Sequence, residues 1–333
     1  MSDVAREAGV ARVTVSRVLS EPDTVAPATR ATVQQAIAKL GYVPNLTAGS
    51  LASSRSRIVG GIVPSLSNAW FAETIDGLSD TLAAAGYQLL LAQSRYDPAE
   101  EERAVSTLLG RRVDALVLTG TGQSPALRQH LQRVGIPVVQ TWDLPTPAAG
   151  RHGVLDMAAG FSNLAAGEVA GDHLVARGCR QPGFIGADEA RARLRLEGFR
   201  RAAGRQPGCA PVAAVLGSPP STFDDGARSL RQLLVERPGL DGIFCSNDTL
   251  AIGALFECRR QGIAVPGQLA VMGFSDQAIA AASVPALTTI AVNAGKIGAT
   301  AGQMVIERLQ GKLSPRVPRI ADLGFRIVAR ETA

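Results

Sequence analysis

Lysine is scarce: of 34 basic residues only Lys39, Lys296 and Lys312 are lysines. The formal net charge of +5 therefore rests on arginine. Beside heavy use of Ala and Gly, that skew reads as readily as a compositional habit as a nucleic-acid signal. Aromatic residues make up 4% of the chain, too few for a platform that stacks single-stranded bases. Cys179, Cys209, Cys245 and Cys258 stand far apart, with no CxxC pair and no histidine beside them. This excludes a disulfide framework or zinc site and fits a reducing compartment. His130, His152 and His173 show no metal spacing. No stretch approaches the roughly 18 apolar residues of a membrane span, and the start, MSDVAREAGV, has no apolar core of a secretory signal. The absences predict a cytoplasmic protein that touches no membrane and carries no metal. With 46% hydrophobic residues in 333, there is ample material for a packed core.

From Ile58 onward, short apolar runs alternate with helical patterns. The runs predict strands at Ile58–Val63, Tyr87–Ala92, Val113–Leu118, Pro137–Gln140, Gly183–Ile185, Val212–Leu216, Gly242–Cys245, Leu269–Gly273 and Thr288–Val292. Helices are expected between them, among others at Phe71–Ala85, Glu100–Leu109, Leu164–Ala176, Arg193–Ala203, Phe223–Glu236, Thr249–Gln261 and Ala294–Leu309. Strands apolar throughout belong to sheets covered on both faces, and strand–helix alternation implies parallel βαβ units. Nine strands are too many for one tidy sheet, and the Gly/Pro-rich stretch 144–153 marks a candidate seam. The expectation is two doubly wound lobes with a cleft between them, where ligands bind outside the carboxyl ends of the strands.

The first 57 residues differ. They hold 7 Lys+Arg against 4 Asp+Glu, carrying +3 of the whole +5. Three helical stretches, 3–8, 11–19 and 28–40, replace the strand pattern, with Gly9 between the first two and Gly41 ending the third. That is helix-turn-helix spacing. Val4, Ala5 and Ala8 are expected to pack on Val10, Val15, Val18 and Leu19, leaving Arg12, Val13, Thr14, Ser16 and Arg17 outward.

The runs DVAREAGVARVTVSRVLS and TVAPATRATVQQAIAKLGYVPN, followed by AGSLASSRS, resemble the N-terminal region of the lactose-repressor (LacI) family of bacterial regulators. The core segments VGGIVPSLSNAWFAE, GIPVVQ, LDGIFCSNDTLAIGALFECRR and DLGF are similar to that family's gluconate-operon repressor branch. The resemblance implies a small all-α helix-turn-helix domain over 1–44, a hinge helix or linker over 45–57, and a two-lobed α/β core over 58–333. The first lobe would take 58–158 plus 290–320, the second 159–289 plus 321–333. The second helix would enter the major groove, with Arg12, Val13 and Arg17 at base-reading positions and Thr14 and Ser16 on phosphates. An arginine fork spans O6 and N7 of guanine, worth about 1–3 kcal/mol of discrimination. Asn45 and Leu51 fall on the hinge, where Leu51 and its mate would wedge into the minor groove. Met1 stands where the family usually has Leu, which predicts a weakly anchored first helix. Ala11 and Ala26 replace the usual serine caps, and Gly49 lowers the helix propensity of the hinge.

The same resemblance implies a cleft that binds a small carbohydrate or sugar acid. Arg195, in ARLRLEGF, would pair a carboxylate; Asn247, Ser65, Asn68 and Phe71 fall at ligand-contacting places. Ser275 stands where many sugar-binding relatives have an acid, a change that favours an anion such as gluconate. Asp276 also falls in this group, though it reads first as the cap of the helical segment that follows. Asn247 and Asp248 equally suit the cap of the following helix, and Ser65 and Asn68 a turn. Ser162 and Asn163 leave the second lobe's entry without an acid.

A dinucleotide enzyme is the principal rival. Its nearest fingerprint, Gly120–Pro125, has Pro in place of the third Gly and no acid about 20 residues on; GxxxxGK[ST] and GxSxG are absent. The expectation is a non-enzymatic regulator without cofactor. It would bind a pseudo-palindromic operator as a homodimer, lacking a leucine-heptad tail for tetramers, and a small effector would tune its affinity.

Overall fold

A computed structural model describes residues 1–43, 55–145, 153–314 and 317–333. The chain forms two compact units, Met1–Ser56 and Arg57–Ala333. In the first, helices α1 (Ser2–Glu7), α2 (Arg12–Ser20) and α3 (Pro27–Leu40) enclose a small core of Val4, Ala5, Val15, Val18, Val33 and Ala36. Gly9, at φ 64°, and Gly41, at φ 56°, take the left-handed conformations that turn the chain after α1 and α3. Ala11 and Ala26 are N-caps without a side-chain bond, and Pro27 opens α3 with its φ already set. Two expectations need correction. Leu19, one 100° step beyond Val18, stays exposed, and Val25 and Ile37 pack on the core instead. Met1 also packs there, so α1 is anchored without the usual Leu.

The second unit holds two six-stranded sheets. The first comprises β1 (Ile58–Val63), β2 (Gln88–Gln93), β3 (Ala115–Thr119), β4 (Val138–Thr141), β5 (Met157–Gly160) and β11 (Arg319–Asp322), in the order β11-β5-β4-β3-β1-β2. The second comprises β6 (Pro182–Ala187), β7 (Ala213–Gly217), β8 (Gly242–Cys245), β9 (Ala270–Ser275), β10 (Thr288–Ala291) and β12 (Arg326–Val328), in the order β12-β10-β9-β8-β6-β7. All neighbours are parallel except β12, antiparallel to β10. Helices α4 (Ala69–Ala84), α5 (Pro98–Gly110), α6 (Pro125–Val134), α7 (Asn163–Ala176), α8 (Ala190–Gly204), α9 (Phe223–Glu236), α10 (Asp248–Gln261), α11 (Ala278–Ala282) and α12 (Ala294–Leu309) complete the lobes.

The nine expected strands are present within two residues at each end. The stretch 144–153 is not the seam: β4 and β5 on either side of it are neighbours in one sheet. The chain instead passes between lobes at Phe161–Ser162, between β10 and α12, and at Leu323–Phe325. Phe161 and Phe325 at these passages join Trp142 of the first lobe and Phe274 of the second in one buried cluster, with ring centroids 5.7 to 6.3 Å apart.

Three helix pairs meet almost backbone to backbone: α4 with α12, α7 with α8, and α9 with α10. Glycines make this possible. A Cβ on Gly167 of α7 would collide with the carbonyl of Arg195 on α8, and one on Gly198 with the carbonyl of Leu164.

Candidate effector pocket and DNA-reading helix

A cleft opens between the lobes at the carboxyl ends of the strands, where ligands of such sheets bind. Asn68 follows β1, Tyr96 follows β2 and Trp142 follows β4. From the other side come Glu189, Arg191 and Arg195 beyond β6, Ser221 beyond β7, Ser246 and Asn247 beyond β8, and Ser275 ending β9.

Helix α8 delivers the charge. Glu189 is its N-cap, accepting from the Ala192 amide at 2.8 Å and from Arg191 Nε at 2.9 Å. Arg191 and Arg195, one turn apart, are both buried. Arg195 sits 4.3 Å from the Phe274 ring centroid and 3.6 Å from Glu189, and Nη1 donates to Asn163 Oδ1. Burial lowers its pKa to about 10, which leaves it a cation at neutral pH. Its Nε is buried with no partner, and so is the Ser246 hydroxyl. Buried polar groups without partners cost about 1–3 kcal/mol each.

Behind Arg195 lies a polar relay. Asn163 Nδ2 donates to the Trp142 carbonyl and to Asp143 Oδ1, each at 2.9 Å, and Thr121 Oγ1 donates to Asp143 at 2.7 Å. Burial pushes the Asp143 carboxyl up, against the pull of these hydrogen bonds.

Of the residues singled out for the effector, Asn68, Arg195, Asn247 and Ser275 share the cleft. Asn68 donates to the Tyr96 hydroxyl at 2.8 Å. Asn247 caps α10 through the Leu250 amide while its Nδ2 donates to Ser221, so the cap and cleft readings both hold geometrically. Three residues lie elsewhere. Ser65 accepts from the Ser67 amide within a turn. Phe71 is buried against Trp142, ring centroids 5.5 Å apart, with the Arg191 guanidinium 5.4 Å from its own. Asp276 is held by Arg330 at 2.7 Å and caps nothing, since Gln277 precedes α11 without a side-chain bond. The left-handed backbone of Ser275 and Asp276, φ 104° and 54°, turns these neighbours to different surroundings.

Glu189, Arg191, Tyr96 and Trp142 were not anticipated. The i, i+4 spacing of Arg191 and Arg195 was readable as one helix face; the others come together only through the sheet order. An acid therefore does occupy the cleft, from α8 rather than from the 162–163 or 275 positions.

In the N-terminal unit, Arg12, Val13, Ser16 and Arg17 lie on the exposed face of α2, and Thr14 is half-buried. Val13 is 58% exposed. Asn45 and Leu51 lie outside the described residues.

The chain thus has a short helical unit with one Arg-bearing face, followed in sequence by a two-sheet core with a polar cleft. Residues 1–45 match the family model for bacterial regulatory proteins of the lacI family, and 171–333 that for periplasmic binding protein-like domains. The chain is 38% identical over 334 residues to the HTH-type transcriptional regulator GntR of Pseudomonas aeruginosa, covering 100% of this chain and 95% of that one. A LacI-family transcriptional regulator from Silicibacter pomeroyi superposes with a TM-score of 0.88 at 32% identity, covering 99% of this chain and 98% of the other. The lac repressor dimer bound to operator and the anti-inducer ONPF gives 0.84 at 26% identity, covering 99% and 97%. The chain belongs to the lacI family of bacterial regulatory proteins. It is a transcriptional regulator and not an enzyme. Among the described residues, no helix is long and apolar enough to cross a membrane.

Proposed function

We propose that the protein binds a pseudo-palindromic operator as a homodimer in the cytoplasm, with its DNA affinity set by a sugar acid such as gluconate held between the core lobes. The observation that carries the ligand class is Arg195: a buried cation whose Nε has no partner and whose counter-ion, Glu189, stands off at 3.6 Å. A carboxylate accepts from an arginine fork in the plane, and the Ser246, Asn247, Ser275 and Asn68 side chains suit hydroxyls along a carbon chain. The GntR name of a relative 38% identical supports gluconate. For DNA, Arg12, Val13 and Arg17 would read bases, Thr14 and Ser16 would hold phosphates, and Asn45 and Leu51 would serve the hinge. The likeness to the lac repressor, solved as a dimer on operator, supports the assembly. The ligand would act by binding one lobe arrangement better than another.

Thermal unfolding of the full chain with gluconate, glucose and a sugar phosphate tests this. Saturating gluconate, at about 100 times its Kd, adds about 2.7 kcal/mol to the stability of the native state. Arg195→Ala loses that shift and the ligand's effect on operator affinity, yet keeps operator binding. An unchanged gluconate shift in Arg195→Ala overturns the assignment. A larger shift with the sugar phosphate favours a phosphorylated effector, and tighter operator binding with ligand marks a corepressor.

A further inference from the structure

Among the described residues, the positive charge lining the cleft comes from Arg191 and Arg195 alone, within one turn of α8. Glu189, on the same turn, has both carboxylate oxygens committed, Oε1 to the Ala192 amide at 2.8 Å and Oε2 to Arg191 Nε at 2.9 Å. Arg191 is thereby paired at its Nε, whereas Arg195 stands 3.6 Å from Glu189 and its own Nε has no partner. Burial opposes the charge on Glu189, but Arg191 and Arg195 beside it hold its carboxyl below the ordinary range, so it remains an anion at neutral pH. Away from α8 the described lining offers amides, hydroxyls and aromatic rings, and no cation.

We infer that Glu189 makes this a single-anion site: one terminal carboxylate is accepted at Arg195, and ligands bearing a second negative group are rejected. This rests on reading the cleft as a sugar-acid site and adds the charge class. A second carboxylate, or a phosphate, would enter the low-dielectric cleft beside a fixed carboxylate, and the one other cation among the described lining residues, Arg191, is already paired to that carboxylate. Like charges so placed are strongly unfavourable. Aldonates therefore fit, whereas aldarates and phosphorylated sugar acids do not. An uncharged alditol brings no charge to balance Arg195.

Titration calorimetry of the full chain with an aldonate, the aldarate of the same carbon skeleton and the corresponding alditol tests this without any variant. The expected order is the aldonate at least about tenfold tighter than either, a margin of about 1.4 kcal/mol. Glu189→Gln retains the length and an acceptor oxygen for the helix cap while removing the charge. It should narrow the aldonate-to-aldarate ratio at least about tenfold, chiefly by strengthening the aldarate. Equal binding of aldonate and aldarate by the wild type, or an unchanged ratio in Glu189→Gln, overturns the inference while leaving the sugar-acid reading standing. Silence from both acids overturns that reading and this inference together.

Discussion

Asp248 Oδ1 accepts a hydrogen bond from Thr289 Oγ1 at 2.6 Å, deep in the second lobe. Asp248 opens α10, Thr289 belongs to β10, and the other Asp248 oxygen accepts from the Gln277 amide at 2.7 Å. One carboxylate thus ties β10 to the residue that follows the left-handed Ser275–Asp276 turn bordering the cleft. Gly273 leaves it room: a Cβ there would collide with Oδ1.

Burial pushes the Asp248 carboxyl up to about 7, against the pull of Thr289 and Gln277, while the unfolded chain has the ordinary value near 3.8. Between these values the folded state binds the proton and the unfolded state does not. Stability from this group therefore falls as pH rises from about 4 to about 7 and is level above, by on the order of 4 kcal/mol. Asp248→Asn mimics the protonated acid, its oxygen accepting from Gln277 and its amide donating to Thr289. Urea unfolding from pH 4 to 8 should show that slope in the wild type and its loss in Asp248→Asn. Parallel curves would contradict the assignment.

The two tryptophans of the chain, Trp70 and Trp142, both line the cleft. Trp142 is held at φ 67°, and its indole N–H donates to Thr74 Oγ1 at 3.0 Å. All tryptophan emission therefore reports on the effector site. A ligand bound there should change the emission along a saturable curve, with the same midpoint as its thermal stabilisation. Trp142→Phe keeps a response from Trp70 alone. Stabilisation by a sugar acid with unchanged emission would place binding elsewhere.

Gly167 fixes how close α7 comes to α8, and so where Arg195 stands. In Gly167→Ala the new methyl must push the Arg195 carbonyl away, at a cost of about 1–3 kcal/mol in stability and with weakened sugar-acid binding. Gly204, at the end of the same helix as Arg195, is the control because a Cβ there meets nothing within 4 Å. Gly204→Ala should leave ligand affinity unchanged. Chemical denaturation with ligand titration separates the two; equal affinities would show that helix spacing does not set the arginine.

The central strands were legible because they are apolar along their length, as in the IVGGIV of β1 and the ALVLT of β3. Three strands were missed for physical reasons. The MAAG of β5 holds no β-branched residue, and β11 and β12 are four- and three-residue edges only partly buried. At the cleft, Arg195, Asn247, Asn68 and Ser275 were legible through likeness to the family's ligand-contacting positions, Asn68 also by its place after the first strand of the core. Tyr96 and Trp142 carry no local signal, since what brings them together is the order β4-β3-β1-β2. Asp276 shows the opposite error: adjacency to Ser275 in sequence promised adjacency in space, and a left-handed turn undid it.

The three passages between lobes also govern the order of assembly during synthesis. The first lobe is unfinished at Gly160, because α12, which packs along α4, and the edge strand β11 lie beyond residue 293. The second lobe in turn waits for β12. Neither lobe is one continuous length of polypeptide, so neither can be excised intact by a single cut. A ribosome must complete nearly all of the chain before either half has its full set of neighbours.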